Sequence, residues 1–316
     1  MSQRPDGGRV AGMTQTATQI PANLLPAARD AACVLPDGRT LGYGLYGATD
    51  GPLVVVLDGP GSRGLGRAAA AAADGLGVTL LVPDRPGFGA STPTPGRSIA
   101  QVGDDLFGLV QSLGFRRFGI LAQSGGTPYA LALAGAAKHA VTGVAFVGGI
   151  SPLHERDALQ DVTGPMRTLF TLARRAPWLL RPLFGAVARK TRKDPDAAAR
   201  AYAKDLPEAD STVLADPRMW AIHATTSAEA VSSPSAFVRE ARLLARPWDV
   251  DLGAISAPVA FWVGELDPTH PPVMSRRMAD RLGGAPVDVV PGAATFGMVP
   301  VYPDVLRHAA ALGDRS

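Results

Sequence analysis

A chain of 316 residues with 46% hydrophobic and 19% charged side chains has the composition of a core-forming globular protein, which excludes an extended disordered chain. A net charge of +3 is too small to mark nucleic acid as the main partner, and no run of about 18 apolar residues is available to span a membrane. The single cysteine, Cys33, excludes an internal disulfide and fits a reducing compartment; with no secretory signal pattern near the start, a cytoplasmic location is expected.

Residues 1–29 carry Gly, Gln, Thr and Pro without a sustained period and are expected to form a poorly ordered leader. Pro36-Asp37-Gly38-Arg39 then separates two β-like runs, a hairpin signal. Leu53 to Leu57 and Val78 to Val82 are continuously apolar, as strands of a parallel sheet covered on both faces are. An Ala-rich helical segment, Leu65 to Leu76, joins them. Ile99 to Leu113 has helical apolar spacing and stops at Gly114. Val141 to Val147 reads as a further strand. From Ser151 the strand runs cease and helical patches take over, which predicts a helical cap over 151–235. Strand runs resume at Ala257 to Val263 and Val287 to Val290, and a last helix is expected over Val301 to Leu312. The expected organisation is therefore an α/β core in two parts, 30–150 and 236–316, with the cap between them.

Ala122-Gln123-Ser124-Gly125-Gly126 lies between a β-like run, Phe118 to Leu121, and a helix-like run from Thr127 to Ala134. Strand, tight turn with a central serine, then helix is the context of a nucleophile elbow. Downstream, an apolar strand ends in Gly264-Glu265-Leu266-Asp267. With Leu57-Asp58-Gly59-Pro60-Gly61-Ser62-Arg63 and Asp84-Arg85-Pro86-Gly87-Phe88-Gly89-Ala90-Ser91, these segments resemble the α/β-hydrolase superfamily, nearest its proline-iminopeptidase-like and epoxide-hydrolase-like members. The resemblance covers roughly residues 31–313. It implies an α/β-hydrolase fold, a mostly parallel eight-stranded sheet with an inserted helical cap. It also implies Ser124 as nucleophile, Asp267 as the acid, and backbone N–H donors at Gly125 and in the turn at Gly59 or Pro60. Two departures stand out. Thr295 occupies the place of the family's final histidine, and Asp58 takes the histidine position of the oxyanion turn, unless a gapless match sets Leu57 there.

A serine without a neighbouring base is a weak nucleophile. A buried Asp58 beside backbone N–H donors would be able to act as acid or base. The expectation is a non-hydrolytic enzyme of specialised metabolism, performing elimination or cyclisation on a hydrophobic, carbonyl-bearing small molecule. Ser124, Asp267 and Asp58 would carry the chemistry, and Gln123, Thr295 and His270 are further pocket candidates. One alternative is a serine hydrolase of esterase or peptidase type, in which a relocated histidine such as His270 completes Ser124 and Asp267. The other is a non-catalytic small-molecule-binding protein. His154 and His223 belong to the cap and are weaker candidates for the cavity. No metal and no nucleotide cofactor is expected, because neither ligand spacing nor a phosphate-binding loop is present. Residues 165–193 hold eight Arg or Lys and no Asp or Glu. That is either a solvated face or an amphipathic surface for an acidic partner, an anionic substrate or a membrane surface.

Overall fold

A computed structural model describes residues 24–312. Most of the expected leader, residues 1–23, lies outside the described residues. Strand β1 (Arg29–Val34) pairs antiparallel with β2 (Thr40–Gly47) across the Pro-Asp-Gly turn, where Gly38 adopts φ 84°, a conformation that glycine takes without a Cβ penalty. The remaining strands are β3 (Leu53–Leu57), β4 (Thr79–Pro83), β5 (Phe118–Ser124), β6 (Val141–Gly149), β7 (Val259–Gly264) and β8 (Val287–Val290). They form one eight-stranded sheet in the order β1-β2-β4-β3-β5-β6-β7-β8, parallel throughout except where β2 meets β1 and β4.

Every residue of β3 and β4 is buried, which is why both read as unbroken apolar runs. The two-residue period of β3 divides its side chains between two cores. Leu53, Val55 and Leu57 face α2 (Ile99–Ser112) and α3 (Thr127–Ala137). Val54 and Val56 face α1 (Gly64–Leu76) and the last helix of the chain. Helix α2 begins where the sequence allows: the Ser98 hydroxyl accepts the Gln101 N–H, and the Gln101 side chain accepts the Ser98 N–H in return.

Strand order reverses at β3. The chain leaves it through α1 to reach β4 on one side and returns through α2 to β5 on the other. A crevice opens at the carboxyl ends of β3 and β5, where such a switch point places ligands. Asp58 follows β3 directly, and Ser124 ends β5.

Between β6 and β7 the described chain is helical: α4 (Arg156–Asp161), α5 (Gly164–Arg175), α6 (Pro177–Lys193), α7 (Pro195–Ala203), α8 (Glu208–Leu214), α9 (Pro217–Val231) and α10 (Pro234–Leu244). Helices α11 (Pro272–Arg281) and α12 (Tyr302–Ala310) complete the fold. Ion pairs tie the helical layer to the sheet at both ends. Arg67 of α1 holds Glu229 of α9, while Arg277 and Arg281 of α11 hold Asp161 and Glu155 at 2.6 Å.

Candidate active site

The elbow is built by close approaches that only its residue types permit. Ser124 adopts φ 50°, a left-handed conformation that costs a non-glycine residue of order 1–3 kcal/mol and aims its side chain off the strand end. A Cβ on Gly126 would stand 2.0 Å from the Leu57 carbonyl oxygen, so this glycine lets the elbow sit against β3. The Gly126 N–H closes the turn on the Gln123 carbonyl at 2.8 Å. Thr127 Oγ1 donates to the Ser124 carbonyl at 2.8 Å and accepts the Ile150 N–H at 3.1 Å, fixing the elbow to the chain beyond β6. Ser124, Gln123 and Gly125 line a cavity of about 640 Å³ whose walls are mostly apolar, including Phe170, Leu180, Phe184 and Leu244.

His270 and Asp267 meet in the same region. Asp267 Oδ1 accepts the N–H groups of Thr269 and His270 at 2.8 and 2.9 Å, and Oδ2 lies 3.0 Å from His270 Nδ1. Both side chains are buried. Burial opposes the Asp267 charge, but the adjacent imidazole, the backbone N–H groups and the Thr295 hydroxyl outweigh it and hold the carboxyl below its ordinary value. The imidazole backs onto Gly148, where a Cβ would stand 3.1 Å from the ring. Gly149, the next residue, is the register partner of Ser124. The imidazole therefore packs against the end of β6, the strand beside the one that carries the elbow. His270 also lines the cavity, as does Thr295.

Asp58 is placed differently from the acid–base role expected of it. It borders the cavity, yet its oxygens are taken: Oδ1 accepts the Gly59 N–H at 2.6 Å, and Oδ2 accepts Ser62 Oγ at 2.6 Å and the Leu65 N–H at 2.9 Å. The carboxylate thus caps the start of α1, satisfying donors that a helix leaves free. The same bonds remove the expected donors of the turn. The Gly59 N–H is spent on Asp58, and Pro60 carries no N–H at all. Gly125 is the expected donor that remains.

Several residues passed over in the sequence reading shape the site. Arg85 donates to the carbonyls of Asp58, at 2.6 Å, and of Gly59, fixing the turn from behind. Its guanidinium lies over the Tyr129 ring and beside Glu240, 2.9 Å away though misaligned for a hydrogen bond. Glu240 also takes Arg97, and Tyr129 Oη at 3.2 Å. The signal for Arg85 was its place in the Asp84-to-Ser91 motif. For Glu240, on α10, none was available. Asp210, on α8, accepts the Phe296 N–H at 2.7 Å, beside Thr295, while its Oδ2 has no partner among the described residues. Burial, and the charge of Asp267, push its carboxyl up, against the pull of the Phe296 N–H. Of the cap histidines, His223 reaches the cavity, with Tyr202, Trp220 and Phe296 around its ring; burial holds its pKa below the ordinary value, and it meets a carbonyl, not a carboxylate. His154 is not among the lining residues. Among the described residues no group of three or more His, Cys, Asp or Glu is placed to hold a metal ion. No helix among them is long and apolar enough to cross a membrane.

The family model for the alpha/beta hydrolase fold matches residues 52–296. The chain therefore belongs to the alpha/beta hydrolase fold family. Among solved structures it is similar to a hydrolase from Pseudomonas aeruginosa PA01, with TM-score 0.64 and 17% identity over 90% of this chain and 99% of that one. It is similar also to an alpha/beta hydrolase fold protein from Nakamurella multipartita, with TM-score 0.64 and 22% identity over 90% and 100%. A third is an epoxide hydrolase from Vigna radiata, with TM-score 0.63 and 16% identity over 90% and 97%. At these identities the likeness establishes the fold. No curated protein sequence matches the chain.

Proposed function

We propose that the chain is a serine hydrolase acting on esters with a bulky hydrophobic group, with Ser124 as nucleophile, His270 as general base and Asp267 as the carboxylate that orients it. The observation that carries this reading is the buried Asp267–His270 pair, whose imidazole lines the same cavity as the elbow serine. With Nδ1 donating to Asp267, His270 Nε2 is the nitrogen left to accept a proton. Ser124 Oγ attacks the ester carbonyl carbon as its proton passes to Nε2. The oxyanion is met by the Gly125 N–H. The imidazolium, stabilised by Asp267, returns the proton to the departing alkoxide. Water then repeats the sequence on the acyl-serine, releasing acid and free enzyme. The apolar walls favour a hydrophobic acyl or alcohol part, and members of the fold neighbourhood include esterases and epoxide hydrolases. Elimination or cyclisation through Asp58 is the less supported reading, because its carboxylate already holds three donors of the turn and α1.

Labelling with a fluorophosphonate, read by intact mass, tests the reading. Stoichiometric labelling is expected, lost in Ser124→Ala and in His270→Ala. Labelling that persists in folded His270→Ala would remove His270 from the base role. No labelling of the folded wild-type chain would overturn covalent serine catalysis.

A further inference from the structure

Helices α5 and α6 form a hairpin of the cap that walls the cavity on one side and faces solvent on the other. Four large apolar side chains on α6 stand in solvent: Trp178 at 70% exposure, Leu183 at 52%, Leu179 at 50% and Val187 at 38%. Leu179, Leu183 and Val187 recur at intervals of four, so they share one stripe along the helix. The adjoining side, with Leu180, Ala188 and Thr191, is buried against the rest of the cap. Single exposed apolar residues are ordinary, but an apolar stripe with an exposed tryptophan at the start of the same helix marks a contact surface.

The charge around the stripe identifies what it contacts. Arg174, Arg175, Arg181, Arg189, Lys190, Arg192 and Lys193 are all exposed, and residues 165–193 contain no carboxylate. Among the described residues none of the seven forms an ion pair, although the core uses arginine pairs freely elsewhere. Arg174 donates to a backbone carbonyl and leaves its charge unneutralised. On the wheel of α6, Lys190 falls within the stripe and Arg189, Lys193, Arg192 and Arg181 lie to one side of it, with Trp178 among them; the other side is the buried face. Apolar side chains and unpaired cations sharing one exposed face match a surface that is hydrocarbon beneath a negative face.

The position is also telling. Leu183 and Val187 are exposed and yet line the cavity, as do Pro165 and Thr168 on the exposed side of α5. The cavity mouth therefore opens within the same patch. We propose that the α5–α6 hairpin docks this protein on an anionic phospholipid surface, with Trp178, Leu179, Leu183 and Val187 in the interfacial layer and the cavity mouth turned toward the lipid. The proposal does not depend on the chemistry assigned to Ser124, since it concerns a surface and is read by binding.

Cosedimentation of the full chain with extruded vesicles tests it, comparing phosphatidylcholine with the same lipid containing about one-third phosphatidylglycerol. At low salt, binding to the anionic vesicles at least about tenfold above the neutral ones is expected, with the gain lost near 1 M salt, where the Debye length falls to about 3 Å. Trp178 emission should shift to the blue on binding, and Trp178→Phe should remove that shift. The double variant Leu179→Glu with Leu183→Glu, and the triple variant Arg189→Gln, Lys190→Gln, Lys193→Gln, should each lose about tenfold or more in partitioning. All replaced residues are exposed, and an unchanged melting curve confirms that both variants fold. Three results would overturn the proposal: no binding to either vesicle, equal binding to both, or binding that both variants retain. A concentration-dependent dimer abolished by Leu179→Glu with Leu183→Glu, without vesicle binding, would assign the face to a second copy of the chain instead.

Discussion

Asp267 and His270 stand three residues apart, and this short separation lets one carboxylate do two jobs. Oδ1 closes the local turn on two backbone N–H groups, which leaves Oδ2 aimed at the ring. On the proposed mechanism acid and base come from one loop after β7, whereas the resemblance placed the base at Thr295, after β8. Asp267→Asn keeps an oxygen for the turn but presents an amide to Nδ1 and disfavours the useful tautomer. On the proposed mechanism, kcat should fall by roughly 10⁴-fold with little change in KM, and His270→Ala should fall comparably. Steady-state kinetics on an activated ester check both. Asp58→Asn should behave otherwise. Its amide would face the Leu65 N–H, so stability should drop by about 1–2 kcal/mol in denaturant titration, while fluorophosphonate labelling of Ser124 persists.

At the scale of elements, the turn after β3 depends on a buried ion cluster drawn from three places. Arg85 follows β4, Arg97 precedes α2, and Glu240 belongs to α10. All three side chains are at most 4% exposed, so no water replaces a lost partner. Glu240→Ala would leave two guanidinium groups buried without a counter-charge and should cost about 3–5 kcal/mol, read as a lower denaturant midpoint. It should also loosen the Arg85 hold on the Asp58 and Gly59 carbonyls. The sequence motif Asp84-to-Ser91 displayed Arg85 and Asp84. Asp84 pairs with Arg63, and the Ser91 hydroxyl donates to the Asp84 carbonyl. The motif gave no view of Glu240, because ion pairing across about 150 residues leaves no periodic trace.

Over the whole molecule, two buried carboxylates act on stability with opposite sign. The Asp267 carboxyl is held below 3.8, so its contribution is present above that pH and is lost as pH falls through its lowered value. The Asp210 carboxyl is raised, so the folded state is favoured while it stays protonated and loses stability as pH rises from 3.8 through the raised value. Asp210→Asn keeps an acceptor for the Phe296 N–H and removes the buried charge. Thermal melts should therefore show a gain in Tm at pH 7–8 that shrinks toward pH 4. Asp210 comes from the cap and Phe296 from the core, so this contact also links the two layers.

What the sequence determined by itself was local and periodic. Continuous apolar runs announced the buried parallel strands, Ser98 and Gln101 started α2, and a serine between strand and helix marked the elbow, because each of these signals lies within a few residues. The candidate base was visible as a residue type, but its ring direction was not. Only the folded chain brings the Gly148 backbone against the imidazole and Asp267 beside it. The same holds for Asp58, whose role was decided by three donors converging from the turn and α1, and for Asp210, which reaches a loop 86 residues away. Side-chain polar groups commit to whichever partners the tertiary packing leaves within about 3 Å, and that selection is made in space.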